Sequence, residues 1–271
     1  ETLVAMGGHE IMTYSFTDPS NLDKIQIDDD SWERSAISII NPLGSDTSVM
    51  RTLLTPGMLE VIATNYKKGV KSANLFEIGN CFMQGYIKDY EHIEGYQICI
   101  GAYGETCDFY SLKGEAQELL SMMGIKTQEF IAESEYRVYH PGRCARIITS
   151  HPVELEDGTI KMEEIELGIM GEIHPTVLSN YGIKERVYMC ELNFDAIYTA
   201  SNRDISFAQI PKFPGSTRDI ALLTDDSLEV GRIRSVIMDK KPEILKECEL
   251  FDIYKDEKLG EGKKSVAFTL T

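Results

Sequence analysis

Between residues 11 and 16 the side chains alternate, with Thr13 and Ser15 on one face and Met12, Tyr14 and Phe16 on the other, the period of a strand. A short helix is expected ahead of it, and Asp18-Pro19-Ser20-Asn21 reads as the turn that closes it. The acidic run Asp28-Asp29-Asp30-Ser31 then reads as a surface loop before a strand over 36–40. The clearest helix follows Leu54. Thr55 is placed to accept an orphan backbone N–H as N-cap, Pro56 suits the first helical position, and Leu59, Ile62, Ala63 and Tyr66 form one apolar stripe. Lys67 and Lys68 favour the carbonyl end, and Gly69 lies just beyond as the terminator. Such a helix packs on a sheet.

Further strands are expected over 74–82, 97–103, 143–149, 165–170 and 187–192. A helix over 112–123 puts Leu112, Ala116, Leu119, Leu120 and Met123 on one side. Hairpin-like segments, including the turn Glu156-Asp157-Gly158-Thr159, point to α+β and away from regular βαβ alternation. A boundary is expected near 195–210, where Thr199-Ala200-Ser201-Asn202-Arg203-Asp204 is polar and Pro211 and Pro214 follow. Beyond it come a strand over 219–224 and a helix carrying Val230, Ile233 and Ile237. Asp226 and Glu229 stand in capping-box spacing before that helix, and two strands over 249–254 and 264–270 flank a turn at Gly260 and Gly262. This β-α-β-β order is three quarters of a ferredoxin-like module. The division expected is 1–198, a linker over 199–210, and 211–271.

Charge changes the picture more than composition does. With 271 residues, 42% hydrophobic and 26% charged, the chain can bury a large core, and no apolar run approaches the roughly 18 to 20 residues of a membrane span. Residues 1–200 carry 15 Lys+Arg against 31 Asp+Glu, whereas residues 201–271 carry 12 against 13. Nucleic acid lying broadly over the first part is therefore disfavoured, while the second can offer a local basic patch. Six cysteines without a CxxC pair, and five histidines without HExxH, argue for free thiols in a reducing compartment and against a metal site. The chain begins at Glu1 without a leader pattern and ends inside a strand-like stretch, so a piece of a longer polypeptide is expected.

Candidate chemistry is sparse. Glu77, inside Leu75-Phe76-Glu77-Ile78-Gly79, must either face a polar cleft or find a partner. Arg51 offers a rigid donor fork to a phosphate or carboxylate, or forms a salt bridge within or between subunits. His174 closes Gly168-Ile169-Met170-Gly171-Glu172-Ile173-His174-Pro175 and reads as a packing residue at a strand end. Gly168 and Gly171 permit a close backbone approach or a tight turn. His140-Pro141-Gly142-Arg143 reads as a turn into a strand, and Arg143 and Arg146 do not form one basic stripe. No spacing recommends a Ser/His/Asp triad.

Taken together, several stretches resemble the β subunit of bacterial phenylalanyl-tRNA synthetase. Asn41-Pro42-Leu43, Met50-Arg51-Thr52-Leu53-Leu54-Thr55-Pro56-Gly57, Leu75 to Gly79, His140-Pro141-Gly142-Arg143-Cys144-Ala145 and Gly168 to Pro175 are similar to its synthetase-like domain. Phe213-Pro214-Gly215-Ser216-Thr217-Arg218-Asp219-Ile220-Ala221 and Leu250-Phe251-Asp252-Ile253-Tyr254 are similar to the ferredoxin-fold anticodon-binding domain that follows it. The resemblance implies a class II aminoacyl-tRNA synthetase-like antiparallel sheet flanked by helices, then a partial ferredoxin-like βαββ module. In active class II enzymes Phe-Glu-x-Gly-x-x-Phe runs into Arg-x-Glu, but here Phe82 is followed by Met83-Gln84-Gly85. The second phosphate-binding Arg is also missing after the 187–192 strand, where the chain reads Glu191-Leu192-Asn193-Phe194-Asp195-Ala196-Ile197.

The resemblance therefore implies a catalytically silent copy with no cofactor of its own, working in the cytoplasm within an α2β2 assembly that uses ATP and Mg. Its implied partners are the α subunit and tRNA(Phe). Asn41, Pro42, Arg51, Leu53 and Leu54 are then expected at the subunit interface, and Lys212, Arg218, Lys263 and Lys264 at RNA. A free-standing regulatory or RNA-binding protein on the same fold is the alternative.

Overall fold

The structure, a computed structural model, describes residues 1–87, 90–154, 157–202, 207, 212, 214–240 and 244–271. The chain forms two compact units, Glu1–Arg203 and Asp204–Thr271. In the first, chain order is α1 (Thr2–Ala5), β1 (His9–Glu10), β2 (Phe16–Thr17), α2 (Asn21–Lys24), β3 (Val49–Met50), α3 (Thr55–Lys67), β4 (Ala73–Ile87) and β5 (Tyr90–Tyr103). It continues with α4 (Phe109–Met122), β6 (Glu129–Ala132), β7 (Tyr139–Glu154), β8 (Ile160–Ile173), α5 (Pro175–Tyr181), β9 (Val187–Asn193) and α6 (Phe194–Ala200). Seven strands make one sheet in the order β1-β4-β5-β9-β8-β7-β6, antiparallel throughout except for β1 against β4.

β9 shows why the sheet is covered on both sides. Its residues 187–192 are all buried, as befits a central strand with no solvent face. Val187 and Met189 join the core formed with α2, α3 and α5, while Tyr188, Cys190 and Leu192 join the core under α1, α4 and α6. Glu191 is the charged exception on the first face. Gly168 makes the neighbouring pairing possible: its φ is 154°, and a Cβ there would collide with the Glu191 carbonyl and the Leu192 Cα. Gly171 is pressed in the same way against the backbone of Arg143 and Cys144, so both glycines serve close approach between strands.

Several local expectations are revised. The alternation over 11–16 is real, since Thr13 turns inward and Met12 and Tyr14 outward, but only Phe16 and Thr17 pair, with β3. The segment 36–40 contributes a single bridge, Ser38 to Val49. His140-Pro141-Gly142 lies within β7 as an irregularity between Tyr139 and Cys144, not as a turn before it. The edge strand β6 escaped the periodicity reading. Of the Glu156 to Thr159 turn, Glu156 lies outside the described residues.

The second unit contains β10 (Arg218–Asp225), α7 (Val230–Asp239), β11 (Cys248–Tyr254) and β12 (Lys263–Leu270), with sheet order β10-β12-β11, all antiparallel. Val266 and Phe268 of the central strand pack with Cys248 and with Ile233 of α7. The expected capping box is not formed. α7 starts at Val230 with Glu229 in the cap position and no side-chain cap, while Asp226 is drawn to Lys255 at 2.5 Å. Arg203, Asp204, Pro211 and Phe213 lie outside the described residues. No helix among those described is long and apolar enough to cross a membrane.

Candidate functional site

Arg51 follows β3, and its side chain runs under β4. Its guanidinium meets the Glu77 carboxylate at 2.7 Å and donates to the Asn80 carbonyl at 2.8 Å and to Thr13 Oγ1 at 2.9 Å. Thr13 closes the triangle, donating from its hydroxyl to Glu77 Oε2 at 2.7 Å and from its backbone to Oε1 at 3.1 Å. Arg51 and Glu77 are both buried. The ion pair is thus internal to the chain, and Glu77 is the paired strand carboxylate, not a cleft acid. A Cβ on Gly79 would strike the guanidinium, which is why the residue two beyond Glu77 is glycine.

On the same sheet face, Glu191 reaches the start of α3. Its carboxylate accepts from the backbone N–H of Leu54 at 2.8 Å and of Thr55 at 3.2 Å, and from the Thr55 hydroxyl. Thr55 is therefore the first helical residue and a donor to Glu191, correcting its expected N-cap role. Leu54 holds the cap position, and the capping acceptor comes from β9. Burial pushes the Glu191 carboxyl up, opposed by these hydrogen bonds and by Arg51.

The surrounding space is filled. Tyr139 is enclosed in the core, and Tyr136 packs at 6.0 Å from its ring and donates its hydroxyl to Glu33. Cys81, Cys99, Cys144 and Cys190 are buried free thiols, and burial pushes Cys144 up to about 12. At Met83-Gln84-Gly85, Gln84 is tied through its backbone N–H to Ser35 O and through its side chain to Ala36 O. After β9, Asn193 caps α6 by accepting from the Ala196 N–H. His174 likewise caps α5, its Nδ1 accepting from Thr176 N–H. Arg143 binds Glu172 through both oxygens, while Arg146 takes Glu133 and Glu166. Among the described residues no cluster of three or more His, Cys, Asp or Glu side chains has metal-holding geometry.

The expected interface residues divide by burial. Arg51 and Leu54 are inside the chain's own core, so neither presents its side chain to a partner as it stands; this corrects the expectation for both. Leu53 is half-buried, and Asn41 and Pro42 are exposed. Beside them in the chain, Ile40 (93% exposed) and Leu43 (102%) leave apolar side chains in solvent, as do Met12 (93%) and Tyr14 (86%) ahead of β2. A groove of about 650 Å³ runs beside Met12 and Tyr14, bounded also by Phe16, Met50, Leu53, Pro56 and Val61.

In the second unit Lys212 and Arg218 are exposed, the latter donating to Ser216 Oγ and Thr217 O. Lys263 is bound to Asp225 at 2.6 Å. Lys264 is buried and donates to the Asp226 carbonyl at 2.7 Å, which removes it from the expected RNA-facing set.

Two family models match this pair of units: the phenylalanyl tRNA synthetase beta chain CLM domain over residues 1–194, and the ferredoxin-fold anticodon binding domain over residues 211–271. The chain belongs to the phenylalanyl-tRNA synthetase β chain family. Its relatives include the phenylalanine–tRNA ligase β subunits of Clostridium tetani (37% identical) and Clostridium acetobutylicum (36%), each matched over 100% of this chain and 32% of the relative. That of Carboxydothermus hydrogenoformans is 33% identical over 99% of this chain and 33% of the relative. The chain thus spans about a third of the length of these β subunits.

Within this β-chain family member, sequence reasoning missed Thr13, Glu191 and the two tyrosines. The inward position of Thr13 in the 11–16 alternation was the available signal, and so was the lone carboxylate of Glu191 in an otherwise apolar β9.

Proposed function

We propose that the chain is the non-catalytic, partner-binding part of the β subunit of a phenylalanine–tRNA ligase, with residues 1–198 as a silent class II synthetase-like domain. Residues 199–210 are then a linker and 211–271 an anticodon-arm module. The observation that carries the reading is the state of the cleft. Its one buried arginine is neutralised by Glu77, and the position that in an active relative begins the Arg-x-Glu motif holds Met83 beside a Gln84 bonded to Ala36. ATP does not fit here: among the described residues no free guanidinium is placed beside this site to meet its phosphates, and the buried carboxyl of Glu191 offers them no cation. ATP and Mg are used, on this reading, by the α subunit of the complete α2β2 enzyme.

The exposed apolar side chains of Met12, Tyr14, Ile40 and Leu43, with Asn41, Pro42 and Leu53, support α-subunit docking, since large apolar side chains left in solvent near a groove suit an interaction site. Arg51 and Leu54 contribute by holding that surface in place. Of the cations expected at RNA in the anticodon module, Lys212 and Arg218 are exposed and available to tRNA(Phe), with Lys263 shared with Asp225. Co-expression of full-length β with its α subunit tests the reading: a co-eluting complex that charges tRNA(Phe) supports it. Micromolar ATP binding by this chain alone, measured calorimetrically, would overturn the silent assignment.

A further inference from the structure

Carboxylates outnumber cations two to one over residues 1–200, and in the first unit every described arginine has a carboxylate within 4.0 Å. Five lysines there make no side-chain ion pair or hydrogen bond among the described residues: Lys67, Lys68, Lys71, Lys126 and Lys184. Four of the five lie together. The register aligns Ala73 with Tyr103, Tyr103 with Val187, and Tyr188 with Glu172, so the start of β4, the end of β5, the start of β9 and the end of β8 form one end of the sheet. Lys71 stands two residues before Ala73, and Lys184 and Arg186 stand just before Val187. Lys67 reaches the Gly182 turn, its Cε 3.7 Å from where a Cβ would stand. Arg143 and Arg186 converge on the single carboxylate of Glu172, at 2.8 and 3.9 Å.

Six cations thus share this end with four carboxylates, Glu105, Asp108, Glu172 and Glu185. Three strand spacings make the row about 14 Å wide. It is held firmly, because the Tyr103 hydroxyl donates to the Val70 carbonyl at 3.0 Å and pins the lysine turn to the sheet. Dipole complementation at the end of α3 accounts for Lys67 and Lys68 but not for Lys71 and Lys184, which lie off the helix. Val70 is the one large exposed apolar side chain at these positions, so the surface lacks the apolar centre of a protein interface.

We propose that this basic end of the sheet binds phosphates of the tRNA backbone, a contact separate from the anticodon module. The inference rests on the proposed tRNA-handling role. The acidic remainder of the domain repels a polyanion and steers it to the one end where lysines are uncompensated, and lysine serves phosphate as a point charge.

The test uses full-length β assembled with α. The triple variant Lys68→Ser, Lys71→Ser, Lys184→Ser is compared with wild type, with the matching triple to Arg, and with Lys212→Ser, Arg218→Ser. Fluorescence anisotropy gives tRNA affinity across salt concentrations. The expected result for the serine triple is roughly tenfold weaker binding at low salt and a log–log salt slope shallower by about two to three units, with unfolding midpoint and assembly unchanged. The arginine triple retains wild-type binding. If the serine triple lowers stability, Lys71→Glu alone supplies the charge change, with a slope loss of at least about one unit expected. Unchanged binding by the serine triple, with loss in the Lys212 and Arg218 variant, overturns this contact and leaves the tRNA role standing. Unchanged binding in both overturns both, and loss of α from the serine triple assigns the surface to protein and overturns the proposal.

Discussion

Glu191 on β9 accepts hydrogen bonds from the backbone N–H of Leu54 and Thr55, so a polar contact between residues 137 apart in the chain is also the cap of helix α3. Removing that carboxylate leaves buried donors at the helix start without partners. Glu191→Ala is expected to cost about 2–4 kcal/mol in urea unfolding, from the lost cap and unsatisfied N–H groups together.

The same carboxyl makes stability depend on pH. Burial raises its folded pKa above the ordinary 4.5, so the folded state holds the proton more tightly than the unfolded one. Its contribution is fully present below pH 4.5 and declines as pH rises through the folded value. Relative to Glu191→Gln, wild type should therefore lose stability on going from pH 4.5 toward neutrality. A wild-type advantage that grows with pH over this range would show the assigned direction to be wrong.

Arg51 and Glu77 should behave as a coupled pair. Arg51→Met strands a buried carboxylate and is expected to cost about 3–5 kcal/mol, whereas the double change Arg51→Met, Glu77→Leu recovers much of that loss. A double-mutant cycle by chemical denaturation reads the coupling, and additive losses would contradict the geometry.

Gly168→Ala places a methyl group against the backbone of Glu191 and Leu192 at a φ that L-residues avoid. Neither neighbour is a flexible side-chain end that can swing aside. A loss of more than about 2 kcal/mol is expected, against about 1 kcal/mol for Gly158→Ser, where φ is also left-handed at 79° but a Cβ would meet open space, measured by thermal unfolding.

Ile40→Ser and Leu43→Ser alter side chains that touch solvent, so the isolated chain should keep its stability within about 0.5 kcal/mol. If the apolar surface docks the α subunit, the full-length β carrying both changes should bind α at least about tenfold more weakly in sedimentation analysis. Undiminished assembly would place the interface elsewhere.

Legibility followed the range of the interaction. Proline, stripe and terminating glycine announced α3 because all three act within one helix, and the central strand β9 announced itself by the apolar run Val187-Tyr188-Met189-Cys190. The Thr55 cap and the Asp226 box were misread because a local motif was outcompeted by partners far along the chain, Glu191 in one case and Lys255 in the other. Lys264 was placed at the surface on the ordinary habit of lysine, yet the Asp226 carbonyl offers its ammonium a buried seat. The 11–16 alternation was correct about faces and wrong about pairing, since burying Thr13 needs Arg51 and Glu77 rather than a neighbouring strand. Tyr136 and Tyr139, packed ring to ring at the core, left no pattern that spacing could detect.

The distance along the chain between α3 and its capping carboxylate, 136 residues at Thr55, also sets a clock for biosynthesis. At about 5–20 residues per second, the ribosome adds Glu191 roughly 7–27 s after Thr55. Throughout that interval the helix start has only water for its first N–H groups, and the sheet's central strand does not yet exist. The domain is therefore a late closer, its final polar latch arriving with nearly the last strand, and nascent chains halted before residue 191 should leave α3 frayed and open to proteases.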